Sequence, residues 1–169
     1  MKKFELTNEF ITNMFGTKLF RIRALVEFGD VEAGELGGYV EKESNLGHDD
    51  NAWVYDNAWV CGNALVYDNA LVYGNARVYG NAWVYGNARV CGDARVCGNG
   101  DYAYAHGFGS VNRTTTFFRL KDGGVGVRCG CFYGTLAQFR DKIRETHGET
   151  KKAQEYLMLA DLMKLRFEK

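Results

Sequence analysis

Proline is absent from the 169 residues, and no apolar run approaches the roughly 18 residues of a membrane span. A chain without proline keeps every backbone N–H, which suits a fold that uses nearly all of its donors in hydrogen-bond ladders. Net charge is absent as well: Lys+Arg 21 balances Asp+Glu 21. No global field therefore recruits nucleic acid in general or an anionic membrane, although a local basic stripe remains open. The opening MKKFELTNEF is basic but lacks an apolar stretch, so no secretory leader is expected. Cysteines number five, and a chain of this length does not need disulfides. Free thiols in a reducing cytoplasm are the expectation.

What is abundant is glycine, 21 residues, and it is not scattered. From Ala52 the chain reads AWVYDN AWVCGN ALVYDN ALVYGN ARVYGN AWVYGN ARVCGD ARVCGN, eight uninterrupted hexads ending at Asn99. Ala opens each hexad, Val is always third, and Asn is sixth in all but the hexad that ends in Asp93. Ala and Val, two apart, share one side of a strand, and the residues between and after them take the other. Gly or Asp followed by Asn is corner chemistry, tolerant of left-handed backbone. A helix cannot keep this pattern, because six residues advance about 600° and Val would drift around the axis. Each hexad is a short strand plus a bend, and equal bends wind into a prism.

The A-x-V-x-G-N run resembles the hexapeptide-repeat, left-handed parallel β-helix proteins, in which three hexads make one triangular coil. That resemblance implies a mainly β fold of about four to five coils at roughly 4.8 Å spacing. It also implies a homotrimer, the common state of such solenoids. The family includes acyltransferases, carbonic-anhydrase-like enzymes and inert scaffolds. Here the residue after the core Val is Tyr or Cys, where the enzymes often carry Gly.

Three regions follow: an N-terminal capping segment (1–20), the repeat β-helix (21–99) and a C-terminal α/β unit (100–169). TKLFRIRALV alternates Phe20, Ile22, Ala24 and Val26 and reads as a lead-in strand. Val40 and Leu46 are six apart, but Val54 follows only after eight residues, so His48–Asn51 carries a two-residue excess at one corner. Phe4, Leu6, Phe10, Ile11, Met14 and Phe15 offer an apolar lid for the open solenoid edge. Beyond Asn99, GDYAYAHGFGS reads as a loop, and TTTFFRL-KDGG-VGVRCGC as a β-hairpin that puts Cys129 and Cys131 on one strand face. Thr135 and Gln138 form a capping box for a helix ending at Gly148. A second helix spans about 151–167, with Tyr156, Leu159, Ala160 and Met163 on one face.

Stacking by eighteen puts Trp53, Leu71 and Arg89 in one outward column, Trp59, Arg77 and Arg95 in a second, and Leu65 and Trp83 in a third. Tyr73 and Tyr79 lie beside them. Aligned aromatics make patches, and burial of one patch against another subunit is expected. A guanidinium beside an indole or phenol suits a nucleotide: the ring stacks on a base and the Arg forks a phosphate. The candidate ligand-binding residues are therefore Arg77, Arg89, Arg95, Trp53, Trp59, Trp83, Tyr73 and Tyr79. No catalytic or metal-binding set is assigned and no cofactor is expected. His48, His106 and His147 lie in unrelated contexts, with His48 the best placed for an acyltransferase-like base. The zinc-type spacing that Cys129 and Cys131 would need is missing.

The flanks KLFRIRALVEFGDVEAGELGGYVEKESNL and RCGCFYGTLAQFRDKIRETHG resemble those of hexapeptide-repeat proteins carried by bacteria and their phages. This implies a cytoplasmic anti-defence protein of the bacterial host cell that binds without catalysis. The expected ligand is a nucleotide-derived immune signal, sequestered between subunits. The alternatives are a protein inhibitor of a host defence complex and an acyltransferase-like enzyme.

Overall fold

A computed structural model describes residues 1–110 and 113–168. It opens with an antiparallel hairpin, β1 (Phe4–Thr12) and β2 (Lys18–Ala24), followed by β3 (Leu36–Val40) antiparallel to β2. The repeat then lays down eight two-residue strands: β4 (Trp53–Val54), β5 (Trp59–Val60), β6 (Leu65–Val66), β7 (Leu71–Val72), β8 (Arg77–Val78), β9 (Trp83–Val84), β10 (Arg89–Val90) and β11 (Arg95–Val96). In each, Val points inward and is fully buried, and the Ala that opens the hexad lines the same interior. Asp56 and Asp68 adopt left-handed φ at their corners just as Gly62, Gly74 and Gly80 do at theirs. This is why position five alternates between those two residue types and no others.

Parallel pairing joins residues eighteen apart: Trp53↔Leu71↔Arg89, Trp59↔Arg77↔Arg95 and Leu65↔Trp83. The first coil is longer. Val40 meets Val60 and Leu46 meets Val66, twenty residues apart, so the excess at His48–Asn51 is absorbed at the corner and the interior side chains stay in line. Bonds such as Trp59 N–H to Ala76 O (3.1 Å) and Asn63 N–H to Gly80 O (2.9 Å) tie each coil to the next. With three sides per coil, the solenoid has about three coils, fewer than the four to five expected, because the lead-in residues pair antiparallel and do not wind.

After β11 the chain forms a four-stranded antiparallel sheet, β12 (Tyr102–His106), β13 (Thr114–Arg119), β14 (Val125–Cys129) and β15 (Phe132–Thr135). Residues 102–106, expected in a loop, are thus a strand: Tyr102 pairs with Phe118 and Tyr104 with Thr116. Two helices follow, α1 (Leu136–His147), capped by Thr135 and Gln138 as the sequence indicates, and α2 (Lys151–Phe167). One face of the sheet closes the end of the column. Tyr102 and Phe118 join the solenoid core, Arg89 N–H donates to Thr116 Oγ1 (2.9 Å), and Lys121 N–H donates to Asp93 O (3.0 Å). The opposite face, with Phe117, Val127 and Cys129, packs on Phe139, Ile143, Tyr156 and Ala160 of the helices.

Cys129 and Cys131 do not share a strand face. Cys129 pairs with Phe132, so Gly130 and Cys131 form the turn between β14 and β15, leaving Cys129 buried and Cys131 exposed. At the other end, Phe4 is buried and Leu6 packs against the core, but Phe10, Ile11, Met14 and Phe15 extend past the column into solvent. The lid is the root of the hairpin, not its tip. No helix among the described residues is long and apolar enough to cross a membrane.

Candidate functional site

The hexad decides which residues face outward, and the flanking segments decide what becomes of them. On the face of β5, β8 and β11, the hairpin folds back across the outside. Leu19 of β2 is buried there against Tyr39 and Cys61, with Trp59 and Tyr79 packed alongside. Past this small outer core the hairpin tip overhangs the face. Between tip and face lies a groove of about 620 Å³, lined by Trp59, Arg77, Tyr79 and Arg95 from the repeat, Met14 and Phe15 from the tip, and Glu41 and Lys121 at its margins. Four of the eight candidate residues therefore meet in one place.

The Arg77 guanidinium lies over the Trp59 ring, 5.1 Å from its centroid, and the Trp59 and Tyr79 rings are 6.2 Å apart. Arg95 is anchored by Nη1, which donates to Asn75 O (3.1 Å) and Ala94 O (2.9 Å). No salt bridge among the described residues involves Arg77 or Arg95. Burial, and then the neighbouring Arg77 charge, lower the Arg95 pKa. Asp93 pulls the Arg95 pKa the other way, but neither arginine forms a salt bridge among the described residues, and two such cations one strand apart favour an anion between them. Glu41, the carboxylate lining the groove, accepts the Gly62 N–H at 2.6 Å. Burial, helped by that carboxylate, raises the Cys61 pKa and keeps the thiol neutral.

The other four candidates are elsewhere. Trp53, expected outside, is 0% exposed: Phe4 and Phe28 close on it edge-on at 6.2 and 5.2 Å. Trp53 itself is covered by β1 and the 25–31 segment, so it cannot touch a ligand, while Leu71 and Arg89 in the same column are half-buried and exposed, respectively. Tyr73, on the same face, lies under Arg128, whose guanidinium sits 5.8 Å from the ring, and burial together with Cys91 pushes its pKa up to about 12. Arg89 is fixed by its backbone bond to Thr116 and stands apart from Arg77 and Arg95. Trp83 belongs to the third face and remains 50% exposed beside Tyr67 and Tyr85, whose rings stack at 5.3 Å.

The hairpin tip, expected as a lid, and Glu41 are groove residues that the sequence candidates did not include. The signal for the tip was Asn13 followed by Gly16 between two apolar strands. Asn13 Oδ1 accepts both Phe15 N–H and Thr17 N–H at 3.0 Å, and Gly16 takes left-handed φ.

The histidines are engaged individually. His48 Nδ1 accepts the Lys3 N–H (3.1 Å), its Nε2 bonds Glu43 (3.0 Å), and its ring stacks on Phe4. That arrangement makes Nε2 the protonated nitrogen and leaves no free lone pair to act as a base. His106 bonds Thr114, and His147 stacks on Tyr156. Among the described residues no group of three or more His, Cys, Asp or Glu could hold a metal ion.

A family model described as the YdcK beta solenoid repeat matches residues 58–74 and 70–86. Those spans contain Trp59, Arg77 and Tyr79 of the groove floor. With the parallel coil pairing, the match makes this a β-solenoid protein. No curated protein matches the chain.

Proposed function

We propose that this β-solenoid is a non-catalytic binding protein whose groove under the β1–β2 tip takes a nucleotide-type ligand. The observation that carries the reading is the pair Arg77 and Arg95, side by side and in no salt bridge among the described residues, next to Trp59 and Tyr79. The guanidiniums receive phosphate, the rings receive a base, and Glu41 is positioned to accept from a ribose hydroxyl or a base amino group. The second wall of the groove comes from the chain's own hairpin, so a single protomer suffices to form it. Binding is favoured over acyl transfer because His48, the best base in sequence, has both ring nitrogens occupied away from the groove.

The finer reading is a left-handed, hexapeptide-repeat column of the phage type, acting in the bacterial cytoplasm to sequester a nucleotide-derived immune signal. Its homotrimer forms through the β6–β9 face, where Trp83 and Tyr85 are exposed. On this reading that face meets sister subunits, and direct blockade of a host defence protein is the alternative use of the same surface.

Calorimetric titration with AMP tests the function. Binding with a Kd below ~1 mM, about −4.1 kcal/mol, is expected. Arg77→Ala should weaken it about tenfold or more, the loss typical of a hydrogen bond to a charged group. No binding at ~1 mM, or an Arg77→Ala variant that binds as well as the parent, overturns the reading.

A further inference from the structure

The groove does not stop at the hairpin tip. On the far side of Met14 and Phe15 lies a second cavity of about 360 Å³, lined by Ile11, Thr12 and Leu19. The two cavities share Asn13, Met14 and Phe15 above and Trp59 and Arg77 below. The Arg77–Trp59 stack is thus a floor common to both, and the tip is a strap across the middle. Each volume falls within the roughly 300–1,000 Å³ of small-molecule sites. The lobes differ in chemistry. The first carries Arg95, Lys121 and Glu41, whereas the second is lined by Ile11 and Thr12, with Arg77 its one charged lining residue.

We infer that the ligand is a dinucleotide: two nucleosides joined through a phosphodiester, one ring in each lobe and the linking phosphate on Arg77. This rests on the nucleotide reading above. Arg77 is the cation reached from both sides, and it has no protein acceptor among the described salt bridges and side-chain hydrogen bonds. A mononucleotide in the first lobe would leave the second lobe filled with water, and a second base, stacked against Ile11 and the strap, would displace it. Met14 and Phe15 are each 86% exposed at the strap, free to settle onto a ligand that passes beneath them.

The test compares AMP with the dinucleoside monophosphate adenylyl-adenosine by calorimetry. The dinucleotide carries less negative charge, so charge alone would make it the weaker ligand. The inference expects it to bind at least about tenfold tighter than AMP. Ile11→Trp, which fills the second lobe from a partly exposed position, should bring the dinucleotide down to the affinity of AMP. Thr12→Trp, from the neighbouring position, provides the same reading if the first variant does not fold. AMP binding as tightly as the dinucleotide, or a dinucleotide advantage that survives both substitutions, overturns the inference and leaves the proposed function standing. Failure of both ligands to bind overturns the two together.

Discussion

Trp53 and Trp83 occupy the same place in their hexads, and their surroundings are opposite. Trp53 is wrapped by Phe4, Phe28 and the hairpin root, whereas Trp83 stands half in solvent on the narrowest face. The repeat fixes only that position two points away from the axis. Whether that side chain becomes core or surface is decided by non-repeating residues that the chain folds back over it. Two of the three faces are partly covered this way from within one protomer, β4–β7–β10 by the lead-in segment and the C-terminal sheet, and β5–β8–β11 by the hairpin. On the remaining face, β6–β9, Trp83 and Tyr85 stay exposed.

Trp53→Ala should cost about 3–5 kcal/mol in denaturant unfolding, the range for a large core aromatic. Trp83→Ala should stay within about 1 kcal/mol when the protein is diluted to the monomer, in which the side chain is half exposed. Equal costs would mean that the hairpin does not cover the first face.

Within the repeat, the corners sharpen the same contrast between covered and open sites. Gly80 has φ +64°, and a Cβ there would sit 2.4 Å from Cys97 O, whereas a Cβ on Gly98, one coil on, meets nothing within 4 Å. Gly80→Ala should cost roughly 2 kcal/mol or more, from left-handed strain and backbone crowding together. Gly98→Ala should be close to neutral. Thermal unfolding of the two variants checks this directly.

A smaller effect tests the covered face by pH. Lys3 Nζ donates to Ala52 O at 2.7 Å and lies 4.5 Å from the Phe28 ring centroid, in the layer that covers Trp53. Burial lowers its pKa from 10.5 to about 8, against the pull of Asp50 and Asp49. Between those values the unfolded chain holds a proton that the folded chain has lost, so stability rises as pH climbs through that window. Tyr73 acts in the opposite sense. Its pKa is raised from 10.0 to about 12, so the folded chain keeps a proton that the unfolded chain loses, and stability falls across that range. Stability should therefore increase above pH 8 and decline past pH 10. Lys3→Met should flatten the rising limb and Tyr73→Phe should soften the falling one.

The eighteen-residue register, the inward Ala and Val, the long first corner and both helices were legible because each rests on local periodicity or a cap. The Arg77–Arg95 column was legible for the same reason. The burial of Trp53 was not, since it depends on Phe4 and Phe28, which belong to no repeat. Nor was the strand at Tyr102–His106, whose glycine-flanked aromatics imitate a loop until β13 provides a partner. Cys129 and Cys131 mislead because alternation alone cannot tell a strand from the two-residue turn that Gly130 begins.

The longer first coil has one further consequence. Its surplus residues bulge outward at His48, and His48 is what receives the Lys3 N–H and lies flat against Phe4. Extra length in a wound chain is harmless at a vertex, while the same two residues inserted along a side would keep the alternation of hollow and skin but lengthen that side by roughly 6–7 Å against its neighbours. The vertex has been turned into a latch for the chain's own beginning, which ties the first coil to the residues that precede it and gives the stack a defined starting rung.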